Sequence, residues 1–272
     1  SLPLITIDDE DARDFDDAVW AEQDSDRSNP NGWKLIVAIA DVAAYVKTDD
    51  PIDHEARRRG NSVYLPRLVV PMLPESLSNE WCSLKPKEAR ACLAAHIQIS
   101  VDGTVLNYRF ERALMESAGR LTYTEVQAAH EGNTNKTTRP LQKYIGALYG
   151  AYASLKKARS RRNTLDFDLP ERRILFDDKG AIQEIAVRPR HDSHRVIEEF
   201  MITANVVAAE ILTKGSEPCM YRIPDQPPQD KLETVRAYLK ELGYKLSRSR
   251  RLTPQNFQQI LKKAKDTDHE EA

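Results

Sequence analysis

Cysteine is scarce in this sequence. Cys82, Cys92 and Cys219 are the only three in 272 residues and no CxxC joins any of them, which excludes a disulfide framework or zinc knuckle and implies reduced, buried thiols. No apolar run approaches the roughly 18 residues of a membrane span. The opening SLPLITIDDED lacks both the basic and the apolar region of a secretory signal. A cytoplasmic protein without a membrane partner is therefore expected. No P-loop, GxSxG or Rossmann fingerprint is present, so no organic cofactor is expected. A surplus of one charge is missing too, since 40 Lys and Arg face 42 Asp and Glu for a formal charge of −2. Composition alone thus does not announce a nucleic-acid binder.

What is present is unevenly placed. Between Asp8 and Asp17 stand seven carboxylates and one arginine, whereas Lys156 to Arg162, KKARSRR, is almost purely basic. Either block alone is ordinarily a solvated face. The chain starts at Ser1 without a methionine and stops in KDTDHEEA, as expected of a segment of something longer.

Periodicity and turn chemistry lay out the elements. KLIVAIA, Lys34 to Ala40, is a short β-branched run and predicts a buried strand ending at Asp41. Asp50-Pro51 is an N-cap and first-turn pair that opens a helix closed by Gly60. YLPRLVVPMLPESLS carries Pro66, Pro71 and Pro74 and reads as an ordered loop. Asp102-Gly103 predicts a hairpin of two antiparallel strands, because the runs on either side of it alternate, with Ile97, Ile99 and Val101 before it and Leu106, Tyr108 and Phe110 after it. Thr122 and Glu125 have capping-box spacing for a helix toward His130. From Leu141 the apolar positions Tyr144, Ile145, Leu148, Tyr149, Tyr152 and Leu155 give a long amphipathic helix ending in the basic block.

A second hairpin is expected around Asp178-Lys179-Gly180. Ser193 is positioned to cap a helix through Leu212 with Ile197, Phe200, Ala204, Val207 and Ile211 inside. Two more helices follow, over Asp230 to Leu242 and from Thr253 with Pro254. Strands and helices mix without regular βαβ alternation, which favours an α+β (mixed α/β) fold with a mixed or antiparallel sheet and surrounding helices.

The informative segment is TIDDEDARDFDDAV, Thr6 to Val19. Clustered aspartates at a strand-to-loop junction supply the hard oxygen ligands that magnesium prefers, and such an ion commonly also holds phosphate oxygens. Asp14, Asp16 and Asp17 are so close that in a compact site their repulsion demands a cation. An EF-hand fails: counting from Asp9, the sixth and twelfth positions are Asp14 and Trp20, where glycine and glutamate are required. A solvated acidic loop is the plain alternative.

Asp8, Asp14, Asp16 and Asp17, as TID followed by D-x-DD, resemble the active-site segment of the RNB domain of the ribonuclease II and ribonuclease R family. Five further blocks agree in order: VAIADVAAYV from Val37, NSVYLP around Tyr64, PMLPESLSNEWCSL from Pro71, GRLTYTEV around Tyr123 and VIEEFMITAN from Val196. The resemblance spans essentially the whole chain, residues 1–272, and looks closer to the ribonuclease R branch. It implies a magnesium-dependent, processive 3′→5′ exoribonuclease that releases nucleoside 5′-monophosphates from single-stranded RNA, with Mn²⁺ a possible substitute. By the same resemblance Asp8 and Asp17 are principal metal ligands, and Asp14 and Asp16 complete the shell and orient water. Tyr64 and Phe167 stack bases, and Tyr123 with Glu198 reads the ribose, a 2′-hydroxyl being both donor and acceptor.

Asp9 departs from the pattern, which usually has glycine there. RNB domains also continue into a segment like SPIRRYPDL with a catalytic arginine, and the family carries cold-shock and S1 modules. None has a counterpart in these residues, so a partial RNB domain is expected. A non-catalytic RNA-binding or scaffold derivative is the alternative. His191 and His194 match no family ligand and are expected to serve the start of the helix.

Overall fold

The computed structural model describes residues 2–65, 68–162, 164, 171–177, 179–215, 218–221, 227–247, 249, 252–265 and 267–269. The chain forms two compact units, residues 1–156 with 170–208, and residues 157–169 with 209–272.

In chain order the first unit contains β1 (Ile5–Asp8), β2 (Asp17–Gln23), β3 (Trp33–Ala40), α1 (Pro51–Arg59), β4 (Val63–Leu65), β5 (Leu68–Val70), β6 (Ala89–Ile99), β7 (Val105–Glu116), β8 (Gly119–Thr122) and α2 (Tyr123–His130). Then come most of α3 (Gln142–Arg161), β9 (Glu171–Phe176), β10 (Ile182–Arg188) and the first part of α4 (Asp192–Lys214). The second unit holds α5 (Gln229–Glu241) and α6 (Pro254–Ala264). Among the described residues no helix is long and apolar enough to cross a membrane.

Six strands form one mixed sheet in the order β7-β6-β3-β2-β1-β8, antiparallel except where β8 joins β1 in parallel. Alternation gives this sheet two apolar faces. Ile5, Ile7, Val19, Val37, Ile97 and Leu121 face Val126 of α2, Ile145 and Leu148 of α3, and Phe200 of α4. Ala18, Trp20, Ile36, Ala38 and Cys92 face Leu77, Cys82 and Leu84. At Gly150 a Cβ would stand 2.4 Å from Trp33 Cη2, so α3 meets the indole at a distance that only glycine permits.

The expected helices and both hairpins are present. Asp50 accepts from the Asp53 N–H, and the Thr122–Glu125 capping box is complete. Four local readings are corrected. Residues expected as an ordered loop contain the antiparallel β4–β5 pair and a π-helical turn at Ser76–Trp81. Pro71 and Pro74 stand outside both strands, so neither removes a ladder donor. In the β6–β7 hairpin a bulge shifts register so that Ile99 pairs with Val105, leaving Leu106 exposed, as Val101 also is. Ile211 of α4 is 39% exposed, because it lies beyond the part of the helix that packs on the sheet. The thiols are free, but Cys219 is only half-buried.

One buried charge supports the far end of the sheet. Asp24 follows β2 and accepts from Gln98 Nε2 at 2.5 Å, Asn29 Nδ2 at 2.9 Å and the Asp26 N–H at 3.0 Å, with Lys34 Nζ at 3.2 Å. Burial pushes its carboxyl up, but these donors overcome that effect and hold it well below the usual carboxylate range. Asp24→Ala is expected to destabilise by about 2–4 kcal/mol at pH 7, since the amide of buried Asn29 keeps only the Ile99 carbonyl of its two acceptors, and Gln98 and Lys34 lose their partner. Urea unfolding measures this, and a loss below about 1 kcal/mol would refute it.

Candidate active site

β1 and β2 pair with Ile5 opposite Val19 and separate at Asp8 and Asp17, so the acidic loop leaves and returns at one end of the sheet. The return is pinned: Phe15 N–H donates to Ser83 Oγ at 3.0 Å, Leu84 N–H to the Phe15 carbonyl at 2.8 Å, and Ala40 N–H to the Asp16 carbonyl at 2.8 Å. On the other side of β1, Asp8 pairs with Thr122 of β8.

Topology has forced several carboxylates together. Burial, then the Asp17 charge, pushes Asp8 up to about 7, with Asp16 and Asp14 adding to the rise and Arg120 opposing it. Burial and then Asp16 push Asp17 up to about 6, and burial followed by Asp14 raises Asp16. Like charges in a poorly solvated site hold protons that isolated carboxyls release. Asp8 Oδ2 and Asp17 Oδ2 are buried without a hydrogen-bond partner, an arrangement that is costly unless something fills it.

Residues 9–16 border a cavity of about 910 Å³ lined by Asp9, Asp11, Asp14, Asp16, Tyr64 and Cys82, among others. The additional carboxylate, Asp9, thus lines the cavity with the matched residues. Tyr64 rises from the β4–β5 hairpin with 71% of its surface exposed, beside Val63, Leu65, Leu68 and Val69, which are also exposed. An exposed phenol on an apolar hairpin is poorly explained as core and suits stacking by a planar ligand. Phe167 lies outside the described residues.

Tyr123 directly follows Thr122, so the parallel β1–β8 pairing carries it to the Asp8 end of the sheet. Its ring stacks on His194 with centroids 4.0 Å apart and planes 16° from parallel. Glu198 is one helical turn beyond His194 on α4 and pairs with Arg190 at 2.7 Å. The start of α4 is held in a way the sequence did not reveal. Ser193 Oγ donates to the Tyr123 carbonyl at 2.8 Å, and the Ser193 N–H donates to Gln127 Oε1, which also accepts from Tyr149 OH. Ser193 is therefore the second residue of the helix and ties α4 to α2. His194 Nδ1 accepts from the His191 N–H at 3.1 Å, consistent with the expected role at the helix start.

Arg120 is the site residue that sequence reasoning missed. It pairs with Thr6 across β8 and β1, donates from one guanidinium nitrogen to the Asp9 and Glu10 carbonyls at 2.7 and 3.0 Å, and lies over the Phe15 ring at 5.3 Å. Its only sequence signal was a cation inside the matched GRLTYTEV block, 111 residues from Asp9.

The donor set can be tested against a divalent cation. Among the described residues no three carboxylate, imidazole or thiol groups converge as a ready-made metal cage. The chemistry nevertheless fits: the candidate ligands are all hard oxygen donors, two of them present a buried, unpartnered oxygen, and their mutual repulsion is the kind a cation relieves.

Comparison with known proteins gives a concordant picture. The RNB domain profile matches residues 1–272. Ribonuclease R of Escherichia coli is 42% identical over 267 residues, covering 97% of this chain and 32% of that protein. Ribonuclease R of Vibrio parahaemolyticus is 43% identical over 258 residues, covering 94% and 30%. The chain thus spans about a third of the length of these curated relatives. Mycoplasma genitalium RNase R in complex with ribose-methylated single-stranded RNA superposes with a TM-score of 0.91 at 28% identity, covering 98% of this chain and 42% of that one.

Proposed function

This chain belongs to the RNB domain family, and from that membership and the buried carboxylate site we propose that it is the metal-binding part of a 3′→5′ exoribonuclease. The reading is that it hydrolyses single-stranded RNA processively to nucleoside 5′-monophosphates. The observation that carries it is the loop 9–16, which joins Asp8 and Asp17, each with a buried, unpartnered carboxylate oxygen and a raised pKa, to the cavity that Tyr64 overlooks.

In this reading Asp8 and Asp17 hold a Mg²⁺ or Mn²⁺ ion, with Asp14 and Asp16 as the remaining oxygen donors. Such an ion, when bound, neutralises charge on phosphate oxygens and makes water more acidic. The protein's own contributions are binding and orientation. Asp14 and Asp16 line the cavity, where their carboxylates would orient a water. Tyr64 offers a stacking face, worth about 1–3 kcal/mol per base and indifferent to sequence, as a processive enzyme requires. Tyr123 and Glu198 supply a phenol and a carboxylate for a 2′-hydroxyl. A non-catalytic scaffold is disfavoured because it has no use for buried like charges.

The test uses the natural-length gene product and 5′-labelled single-stranded RNA with and without Mg²⁺. The expected result is conversion of the labelled strand directly to a short 5′-terminal end product without a ladder of intermediates, accompanied by release of 5′-monophosphates, with both stopping on chelation. Strands carrying one deoxy site should stall the wild type, and Tyr123→Phe or Glu198→Ala should relax that stall at least tenfold more than it weakens RNA affinity. Internal cleavage, or chelator-resistant degradation, would overturn the nuclease assignment. An unchanged stall in both variants would remove Tyr123 and Glu198 from sugar recognition.

A further inference from the structure

The two halves of the acidic loop are anchored differently. The returning half is tied to the body of the sheet by the Phe15 N–H, the Phe15 carbonyl and the Asp16 carbonyl. The departing half, at Asp9 and Glu10, is held through its carbonyls by Arg120, and the same guanidinium lies over Phe15. One side chain from a strand 111 residues away thus grips both halves.

We propose that Arg120 is the positioning residue of the carboxylate site: it staples the departing half of the loop to Phe15 and so fixes where Asp14 and Asp16 stand relative to Asp8 and Asp17. This rests on the metal-site reading given above and deepens it. Lysine could not do the same: an ammonium could also direct two hydrogens of one nitrogen at the adjacent carbonyls, but it lacks the planar face that lies over Phe15 while reaching them. Arg120 Nε is buried with no hydrogen-bond partner. The guanidinium therefore sits where the loop carbonyls and Phe15 require it, at the expense of its own third donor direction. Its positive charge also opposes the proton that burial and Asp17 favour on Asp8.

The experiment combines hydrogen–deuterium exchange with Mn²⁺ titration calorimetry on the natural-length protein, comparing wild type with R120M, R120K and F15L. In R120M, exchange across residues 9–13 should rise at least tenfold while β2, β3 and β6 stay protected, and Mn²⁺ affinity should fall at least tenfold. R120K should move both readouts in the same direction as R120M, because an ammonium does not restore the plane stacked over Phe15. F15L should move both readouts in the same direction by a smaller factor. Should R120M fail to fold, F15L decides. Unchanged exchange at 9–13, or a rise spread evenly over the sheet, would overturn the staple. If wild type binds no Mn²⁺ while R120M still loosens residues 9–13, the staple stands and the metal-site reading falls.

Discussion

Asp17→Asn in the natural-length protein is expected to lower RNA hydrolysis at least a thousandfold, about 4 kcal/mol of transition-state stabilisation, while RNA affinity changes by no more than a few-fold. The two effects separate because they arise in different places. Asp17 is partly buried with its Oδ2 fully covered and without a protein partner, and the amide offers a neutral oxygen where an anionic ligand is needed. Removing its charge also removes part of the repulsion that makes the site attract a cation. Affinity, in contrast, is expected to come from phosphate contacts and from stacking on surfaces such as Tyr64, which lies on a separate hairpin. Single-turnover rates and equilibrium binding, both in Mg²⁺, measure the pair. Near-normal turnover in the variant would take Asp17 out of the metal site.

The same site should make the metal-free protein less stable than its neutralised variants. In the folded state Asp8 is raised from 3.8 to about 7 and Asp17 to about 6. Over that interval the folded protein holds protons that the unfolded chain has released, so stability declines as pH rises. The penalty is absent below about pH 4 and fully developed above about pH 7. Without metal at pH 7.5, Asp8→Asn is therefore expected to gain about 2–4 kcal/mol, raising Tm by roughly 5–10 °C. The gain should vanish near pH 4. Adding Mn²⁺ should reverse the order, since only wild type gains the ligand-linked stabilisation. Thermal melts across this pH range, with chelator and with metal, test the claim. A variant less stable than wild type at every pH without metal would show that the carboxylates are structural.

Much of this protein is legible in its sequence, for a physical reason that recurs. Caps, turn residues and apolar periodicity act within a few residues of one another, so α1 with its Asp50 cap, α2 with its capping box, the long α3, the Thr253-Pro254 start of α6 and both predicted hairpins were read directly from the chain. The four aspartates were legible too, because they share one short loop. Hidden from the sequence were relations set by chain topology. The parallel pairing of β8 with β1 brings Tyr123 beside the Asp8 end and Arg120 beside the loop, and nothing local to Gly119–Thr122 specifies that neighbour. The β4–β5 pair escaped notice because three prolines argued against strands, whereas Pro71 lies just outside the ladder. Ser193 looked like a cap because its role depends on Gln127 and Tyr123 of another element. The loop itself determined which residues could bind a cation. Only the sheet decided that two of them each bring a buried, unpartnered oxygen to one end of the strands, where partial burial and mutual repulsion raise both carboxyls.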